Sequence, residues 1–422
     1  MKIAIFGMAR SGLSAMKLAI KKGHEVTLIN AGEPKSWPNY QECLKYPVKM
    51  FSEEMFLKEA PIQSNLILSP GIPRSHQICQ KFLDAGFKVI SEIEWAYSFG
   101  CPQLIAVTGS NGKTTTTSMI DEALKLAGFK VFVGGNIGIP FSEIHLTEKK
   151  YDYAVIEVSS FQLESIEHFH PHIAVLTNIH PNHMERYRDF QDYKNAKLNL
   201  LKNMASFDFV FTHSTFDRIE TEAEVSLMNI EGMSQFDFTQ SKLVGGHNKE
   251  NFASCFYVLN ALKIPNKNQV MQKLIDEFKG VEHRIEFVTE FMQMKFYNDS
   301  KSTNSLALKT ALSAFASDIP VTLIIGGKLR ENKVELKNDL KPFKNIKRIY
   351  CIGEARELLR QDLQADFELT VMETLDQAVT VIFQNPLAGV VLYSPGFPSF
   401  DQFKNFEERG LTFKKLVKSK AH

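Results

Sequence analysis

Ile105-Ala106-Val107-Thr108-Gly109-Ser110-Asn111-Gly112-Lys113-Thr114-Thr115 is the stretch whose reading decides the fold of this chain. An apolar β-type run enters it and a helical pattern over 117–126 leaves it, with two glycines, a lysine and several hydroxyls between. A strand that passes through a glycine-rich turn into a helix N-terminus makes an anion site. Backbone N–H groups point outward there, and the helix dipole favours negative charge. Gly109 and Gly112 allow the tight turn and close backbone approach. Lys113 suits the β- and γ-phosphates of a nucleotide, and the Thr114 hydroxyl suits Mg²⁺. A full eight-residue phosphate loop has Gly where this chain has Val107, so the loop is a shortened form. The bland alternative is a polar turn before an ordinary helix; the strand–loop–helix context argues against it.

Working toward the N-terminus, residues 2–6 read as a buried parallel strand, and Gly7-Met8-Ala9-Arg10-Ser11-Gly12 turns into a helix over 13–21. A strand over 26–29 completes a βαβ start. The turn departs from the dinucleotide fingerprint: Ala9 replaces the middle glycine, and Asn30 ends the second strand where a ribose-binding acid belongs. A diphosphate resting on this turn remains reasonable, as does a plain turn with no ligand. Leu66-Ile67-Leu68 runs into Ser69-Pro70-Gly71, which stops that strand at the edge where open α/β sheets bind ligands. A helix over 77–85 and a strand over 88–90 end this part near Glu94.

On the other side of the phosphate loop, strands over 131–133, 153–156 and 173–176 alternate with helical segments, which implies a parallel sheet covered on both faces. Their carboxyl ends bring Asn136, Glu157, Asn178 and the nearby His183 toward the nucleotide. A helical pattern over 190–201 carries Lys194 and Lys197. The polar run 245–251 precedes a helix over 252–262, which its asparagines could cap. A third unit opens near Glu282 with strands over 321–325, 348–352 and 389–393, each followed by a glycine or proline turn, as in a second doubly wound sheet.

Composition narrows the function. A chain of 422 residues exceeds one compact core, so two to four domains are expected. A net charge of +1 makes no electrostatic case for nucleic acid or an anionic membrane. The five cysteines are scattered without a CxxC pair, which argues against a disulfide framework or a cysteine zinc site and suits a reducing compartment. No apolar run is long enough to cross a bilayer, and residues 1–7 read straight into strand and turn, so no signal peptide, no membrane insertion and a cytoplasmic location are expected.

Taken in order, the blocks 7–12, 69–71, 108–114, 134–138, Glu157-Val158-Ser159-Ser160-Phe161-Gln162-Leu163-Glu164, 183–187, 196–198, 246–251, His283-Arg284, 298–304, Gly326-Gly327 and 399–410 resemble the Mur ligases of peptidoglycan synthesis over nearly the whole chain. Residues 399–410 and 159–164 are the most specific to the branch that adds D-glutamate. The resemblance implies an α/β chain of three domains: a Rossmann-like domain for a UDP-linked substrate over 1–94, a central ATP-binding domain with a P-loop ATPase-like parallel sheet over 95–281, and a Rossmann-like C-terminal domain for the amino acid over 282–422. It implies an ATP-dependent amide ligase that joins D-glutamate to UDP-N-acetylmuramoyl-L-alanine through an acyl phosphate, acting as a monomer. Another Mur-type or folylpolyglutamate-type amide ligase is the alternative.

By the same resemblance, Lys113, Glu157, His183 and Lys197 carry the catalysis. ATP meets Gly109, Ser110, Asn111, Gly112, Lys113, Thr114 and Thr115, together with Asn251, Arg284 and Asp299. Two Mg²⁺ ions, replaceable by Mn²⁺, are implied: Thr114 and Glu157 serve one, His183 and Lys197 the other. A lysine ammonium cannot ligate a cation, and the family lysine matching Lys197 is carbamylated. Ser11, Gly12, Asn30, Ser69, Pro70, Gly71 and Asn136 would meet the UDP substrate. Lys301, Thr303, Ser399 and Phe406 would hold D-glutamate, with Lys328 or Arg330 as a further basic contact; Phe406 also suits core packing. Three positions depart from the family. Asn182 stands where Asp is common, Asn30-Ala31-Gly32 replaces Asp, Thr and Arg, and Lys328 replaces an Asp. ATP contacts divided between two domains imply a hinge near Glu282.

Overall fold

The computed structural model of the chain describes every residue except 1, 60, 182, 183, 185, 214, 215, 217, 218, 244, 330–333 and 422, and the side chains of Glu59 and His247. Its described strands form three sheets. The first contains β1 (Lys2–Phe6), β2 (Glu25–Asn30), β3 (Val48–Ser52), β4 (Asn65–Leu68) and β5 (Val89–Ser91), in the order β3-β2-β1-β4-β5. All its pairings are parallel. The second contains β6 (Gln103–Thr108), β7 (Val131–Gly135), β8 (Tyr153–Glu157), β9 (Ile173–Leu176), β10 (Phe209–Thr212) and β11 (Glu224–Leu227), in the order β11-β10-β9-β6-β8-β7. It too is parallel throughout. Strands such as Leu104-Ile105-Ala106-Val107 are apolar on both faces because helices cover both.

The third sheet contains β12 (Glu286–Phe291), β13 (Met294–Asn298), β14 (Val321–Gly326), β15 (Ile346–Ile352), β16 (Leu369–Val371) and β17 (Gly389–Tyr393), in the order β12-β13-β17-β14-β15-β16. Two separate apolar clusters pack on it, one around Leu323 and Leu392, the other around Ile324 and Val391. The expected doubly wound sheet is present, with one addition: β12 pairs antiparallel with β13. The turn of that hairpin, Met292-Gln293, has positive φ at both residues without glycine, so no ordinary turn signal marks it.

The chain divides into two compact units. One comprises Met1–Phe236 with Lys249–Leu274 and holds the first two sheets; the other comprises Asp237–Asn248 with Ile275–His422 and holds the third. Within the first unit, the end of β5 and the segment after it are bound firmly to the second sheet's elements. Ser91 N–H donates to the Ser165 carbonyl at 2.9 Å. Glu92 accepts the Ser142 N–H at 2.6 Å, and the Glu94 carboxylate accepts the N–H groups of Glu167, His168 and Phe169 at 2.8–3.0 Å.

Helices begin earlier than apolar periodicity suggested: at Arg10 rather than 13, at Lys113 rather than 117, and at His247 rather than 252. A first turn of polar residues carries no buried stripe, so the 3.6-residue period is silent there. The helix expected over 190–201 ends at Leu198 and tightens into a 3-10 turn, Asn199–Leu201. Among the described residues, no helix is long and apolar enough to cross a membrane.

Candidate active site

In the first unit, register sets the site. Val107 of β6 lies opposite Glu157 of β8 and Val175 of β9, so the residues that follow these strands emerge along one edge. The loop after β6 is held by the segment after β9. Ser110 N–H donates to the Asn178 carbonyl at 2.9 Å, and Asn111 N–H to Asn178 Oδ1 at 2.9 Å. The Thr177 hydroxyl donates to the Asn111 carbonyl at 2.6 Å. Gly109 is required: its φ is +147°, and a Cβ there would lie 1.9 Å from Thr177 Oγ1. Gly112, at φ +80°, caps the helix Lys113–Leu126; a Cβ there would lie 2.7 Å from Asn251 Oδ1. Asn251 also accepts the Thr116 hydroxyl at 3.1 Å, which places it beside the loop. Lys113 Nζ donates to the carbonyls of Gly109 and Ser110, both at 2.9 Å, so its ammonium lies over the loop.

Three further side chains converge on this edge. Glu157 Oε2 accepts the Thr114 hydroxyl at 2.7 Å, and Oε1 accepts Asn136 Nδ2 at 2.7 Å. Lys197 is only 2% exposed, with Nζ 4.8 Å from the centre of the Tyr193 ring. Burial lowers its pKa to about 7; the nearby Lys113 charge pushes the same way, and Glu157 opposes it. Thr114 and Glu157 provide hard oxygen donors, the set that Mg²⁺ takes alongside phosphate and water. His183 and Asn182 lie outside the described residues.

The first sheet presents a second glycine turn at its carboxyl edge. Phe6 lies opposite Ile29 and Leu68, which gathers Gly7, Asn30 and Ser69. Ser69 Oγ donates to the Gly7 carbonyl at 2.8 Å, and Asn30 Oδ1 accepts the Met8 N–H at 3.0 Å. Asn30 thus braces the turn itself. A Cβ on Gly12 would lie 1.8 Å from the Gly7 carbonyl oxygen, so that glycine lets the helix Arg10–Lys21 close onto the turn. Ser11 stands in the first turn of that helix.

In the second unit, Asn298 of β13 and Ile324 of β14 both lie opposite Tyr393 of β17. Asp299 follows at this edge, 5% exposed. Its carboxylate accepts the Ser394 hydroxyl at 2.7 Å and the Ile285 N–H at 3.2 Å, next to Arg284. Burial lifts its pKa to about 7 against those hydrogen bonds and the charges of Arg284 and Arg409. Lys301 N–H donates to the His283 carbonyl at 3.0 Å. Ser399 is buried, and its carbonyl accepts the Phe403 N–H at 2.9 Å. Thr303 lines a cavity of about 220 Å³ with Leu329, Val334, Phe397 and Pro398. Lys328 pairs with Glu354 at 2.9 Å; Arg330 lies outside the described residues.

One residue of this edge carried no role in the sequence reading. Arg409, 1% exposed, donates from Nε to Ser300 Oγ at 3.0 Å, from Nη2 to the Ser300 carbonyl at 2.8 Å, and from Nη1 to the Phe397 carbonyl at 2.9 Å. Ser300 Oγ in turn donates to the Phe406 carbonyl at 2.9 Å. The guanidinium therefore fixes the segments that carry Lys301, Ser399 and Phe406. Its position in an apolar helix face was the available signal, since an arginine there must find buried acceptors.

A glycine turn thus stands at the carboxyl edge of each sheet of the first unit, and Thr114 and Glu157 make one of these edges rich in oxygen. Residues 107–224 match the Mur ligase middle domain. The chain is 35% identical over 445 residues to the UDP-N-acetylmuramoylalanine--D-glutamate ligase of Streptococcus mutans, covering 99% of this chain and 97% of the relative. It is likewise 35% identical over 450 residues to the enzyme so named in Desulfatibacillum aliphaticivorans, covering 99% and 98%. The chain belongs to the Mur ligase family, among its UDP-N-acetylmuramoylalanine--D-glutamate ligases. Solved structures share the fold: MurF of Acinetobacter baumannii at TM-score 0.57 and 15% identity, covering 98% of this chain and 93% of that one, and the UDP-N-acetylmuramate-alanine ligase of Thermotoga maritima at TM-score 0.56 and 16% identity, covering 99% of each.

Proposed function

We propose that the chain is an ATP-dependent carbon–nitrogen ligase that adds D-glutamate to UDP-N-acetylmuramoyl-L-alanine in the cytoplasmic stage of peptidoglycan synthesis, working as a monomer. The observation that carries this reading is the convergence of Lys113, Thr114, Glu157, Asn136 and Lys197 on the edge that holds the glycine loop. A carboxylate oxygen of the UDP substrate attacks the γ-phosphorus of ATP, and ADP leaves. The D-glutamate amine then attacks the acyl carbon, loses a proton, and inorganic phosphate departs with one former carboxylate oxygen. Two anions must meet in the first step, so Lys113 supplies positive charge at the transferring phosphoryl group. Thr114 and Glu157 would hold one Mg²⁺, and His183 with carbamylated Lys197 a second; bound there, the ions neutralise the two anions. The burial of Lys197 supports the carbamate, because a neutral amine is the form that adds CO₂.

Gly109, Ser110, Asn111, Gly112 and Thr115 complete the nucleotide loop, with Asn251, Arg284 and Asp299 as further ATP residues. Ser11, Gly12, Asn30, Ser69, Pro70, Gly71 and Asn136 serve the UDP substrate. Lys301, Thr303, Ser399 and Phe406 serve D-glutamate. The functional segments follow 1–94, 95–281 and 282–422. A substrate panel tests the reading: ADP release should require UDP-N-acetylmuramoyl-L-alanine and D-glutamate together. Release with L-alanine, a diamino acid, a dipeptide or a folate acceptor instead would point to another amide ligase and overturn it.

A further inference from the structure

Two sequence blocks, 157–164 and 183–187, contain Glu164, Arg186 and Tyr187, which the reaction above leaves unused. In the structure these three form one cluster inside the first unit. Arg186 Nη1 donates to the Pro70 carbonyl at 3.1 Å, and Nη2 donates to Glu164 Oε2 at 3.1 Å and lies 3.5 Å from the Ile72 carbonyl oxygen. The guanidinium carbon stands 3.9 Å from the centre of the Phe161 ring. The other Glu164 oxygen accepts the Tyr187 hydroxyl at 2.6 Å. The Tyr187 ring is 5.3 Å from that of Tyr193, and the Tyr193 hydroxyl is 3.1 Å from Ser110 Oγ in the phosphate loop.

We propose that Arg186 is a positioning residue: it fastens the Ser69-Pro70-Gly71 turn of the first sheet to Glu164, at the end of the short helix that follows β8, and so sets where the UDP substrate sits relative to the phosphate loop. This rests on the ligase reading. The acceptors it bonds on the first sheet belong to the turn, not to the strands, so the bond fixes the loop that meets the ligand. The Arg186 and Glu164 side chains are 15% and 20% exposed, which shields the pair from the screening that weakens surface ion pairs. A planar fork that reaches a carboxylate and two carbonyls while lying over a ring is a task lysine cannot copy. A loop displaced by an ångström misaligns the attacking carboxylate, which reactions of this kind tolerate poorly.

Arg186→Met, Arg186→Lys and Glu164→Gln test this by steady-state kinetics of the full chain. The KM for the UDP substrate should rise roughly tenfold to a hundredfold while the KM for ATP changes little. Methylguanidinium should restore part of the loss in Arg186→Met and none in Glu164→Gln. UDP and ATP affinities measured by calorimetry give the same ratio without turnover, and Arg186→Lys and Glu164→Gln carry the test if Arg186→Met does not fold. An unchanged UDP affinity in a folded variant, or equal losses for UDP and ATP, would overturn the proposal. Wild-type protein inactive with the two proposed substrates would instead overturn the ligase reading, with the affinity ratio still deciding on Arg186.

Discussion

In the first unit, β1 and β6 each run through a glycine turn into a helix, and the two turns are equipped differently. After β1, the turn is braced by neutral groups, Ser69 and Asn30, and its helix begins at Arg10 behind Ala9 with no side-chain cap. After β6, the turn is braced by Thr177 and Asn178, and a lysine, a hydroxyl and a carboxylate crowd its edge. On the proposed reading, both turns take a phosphate. The side chains supplied by the neighbouring strand ends determine whether a turn only holds one or also helps to transfer it.

That contrast breaks if a matched pair of variants behaves alike. Lys113→Met should lower kcat/KM by about 10³-fold, the scale of losing a charge aimed at the transition state. Ser11→Ala, at the other turn, should cost less than about tenfold, the scale of one hydrogen bond, and chiefly in the KM for the UDP substrate. Next in size, Lys197→Ala should lose about 10²-fold or more in kcat, with partial recovery in added formate or acetate. No recovery by either acid would leave the carbamate without support.

Smaller effects sharpen the same contrast through stability. Gly12→Ala places a methyl group 1.8 Å from the Gly7 oxygen, and urea unfolding should show a loss of roughly 1–3 kcal/mol. Gly71→Ala, which meets open space, should stay within about 0.5 kcal/mol.

Glu92 gives the last effect. It is fully buried, and desolvation lifts its pKa from 4.5 to about 7. Between those values the folded protein holds a proton that the unfolded chain has released. Stability contributed by this group is therefore present below the unfolded pKa and is lost as pH rises through about 7. Glu92→Gln should melt above wild type at pH 8, with the gap closing toward pH 5. A gap independent of pH would show that Glu92 is not the titrating group.

The phosphate loop was legible because its chemistry is local. Gly109, Gly112, Lys113 and Thr114 adjoin in sequence, and the flanking strand and helix have clear periods. Glu157 and Asn136 were legible once strands were placed, since one ends and the other directly follows a parallel strand at the same edge. Less legible were features set by distant contacts. β3 and β16 are partly exposed and short, and β10 and β11 lack a strong turn signal. The β12–β13 hairpin turns without glycine, and the partners of Arg186 and Arg409 are scattered along the chain. Burial of Lys197 is a tertiary fact, for its helix is polar and its sequence suits an exposed lysine equally well.

The measurement closest to the central claim follows an oxygen atom. UDP-N-acetylmuramoyl-L-alanine labelled with ¹⁸O in its carboxylate is turned over with ATP and D-glutamate, and the released phosphate is weighed by mass spectrometry. The account predicts one labelled oxygen in each phosphate, lost together with activity in Lys113→Met. Unlabelled phosphate accompanying amide formation would contradict it.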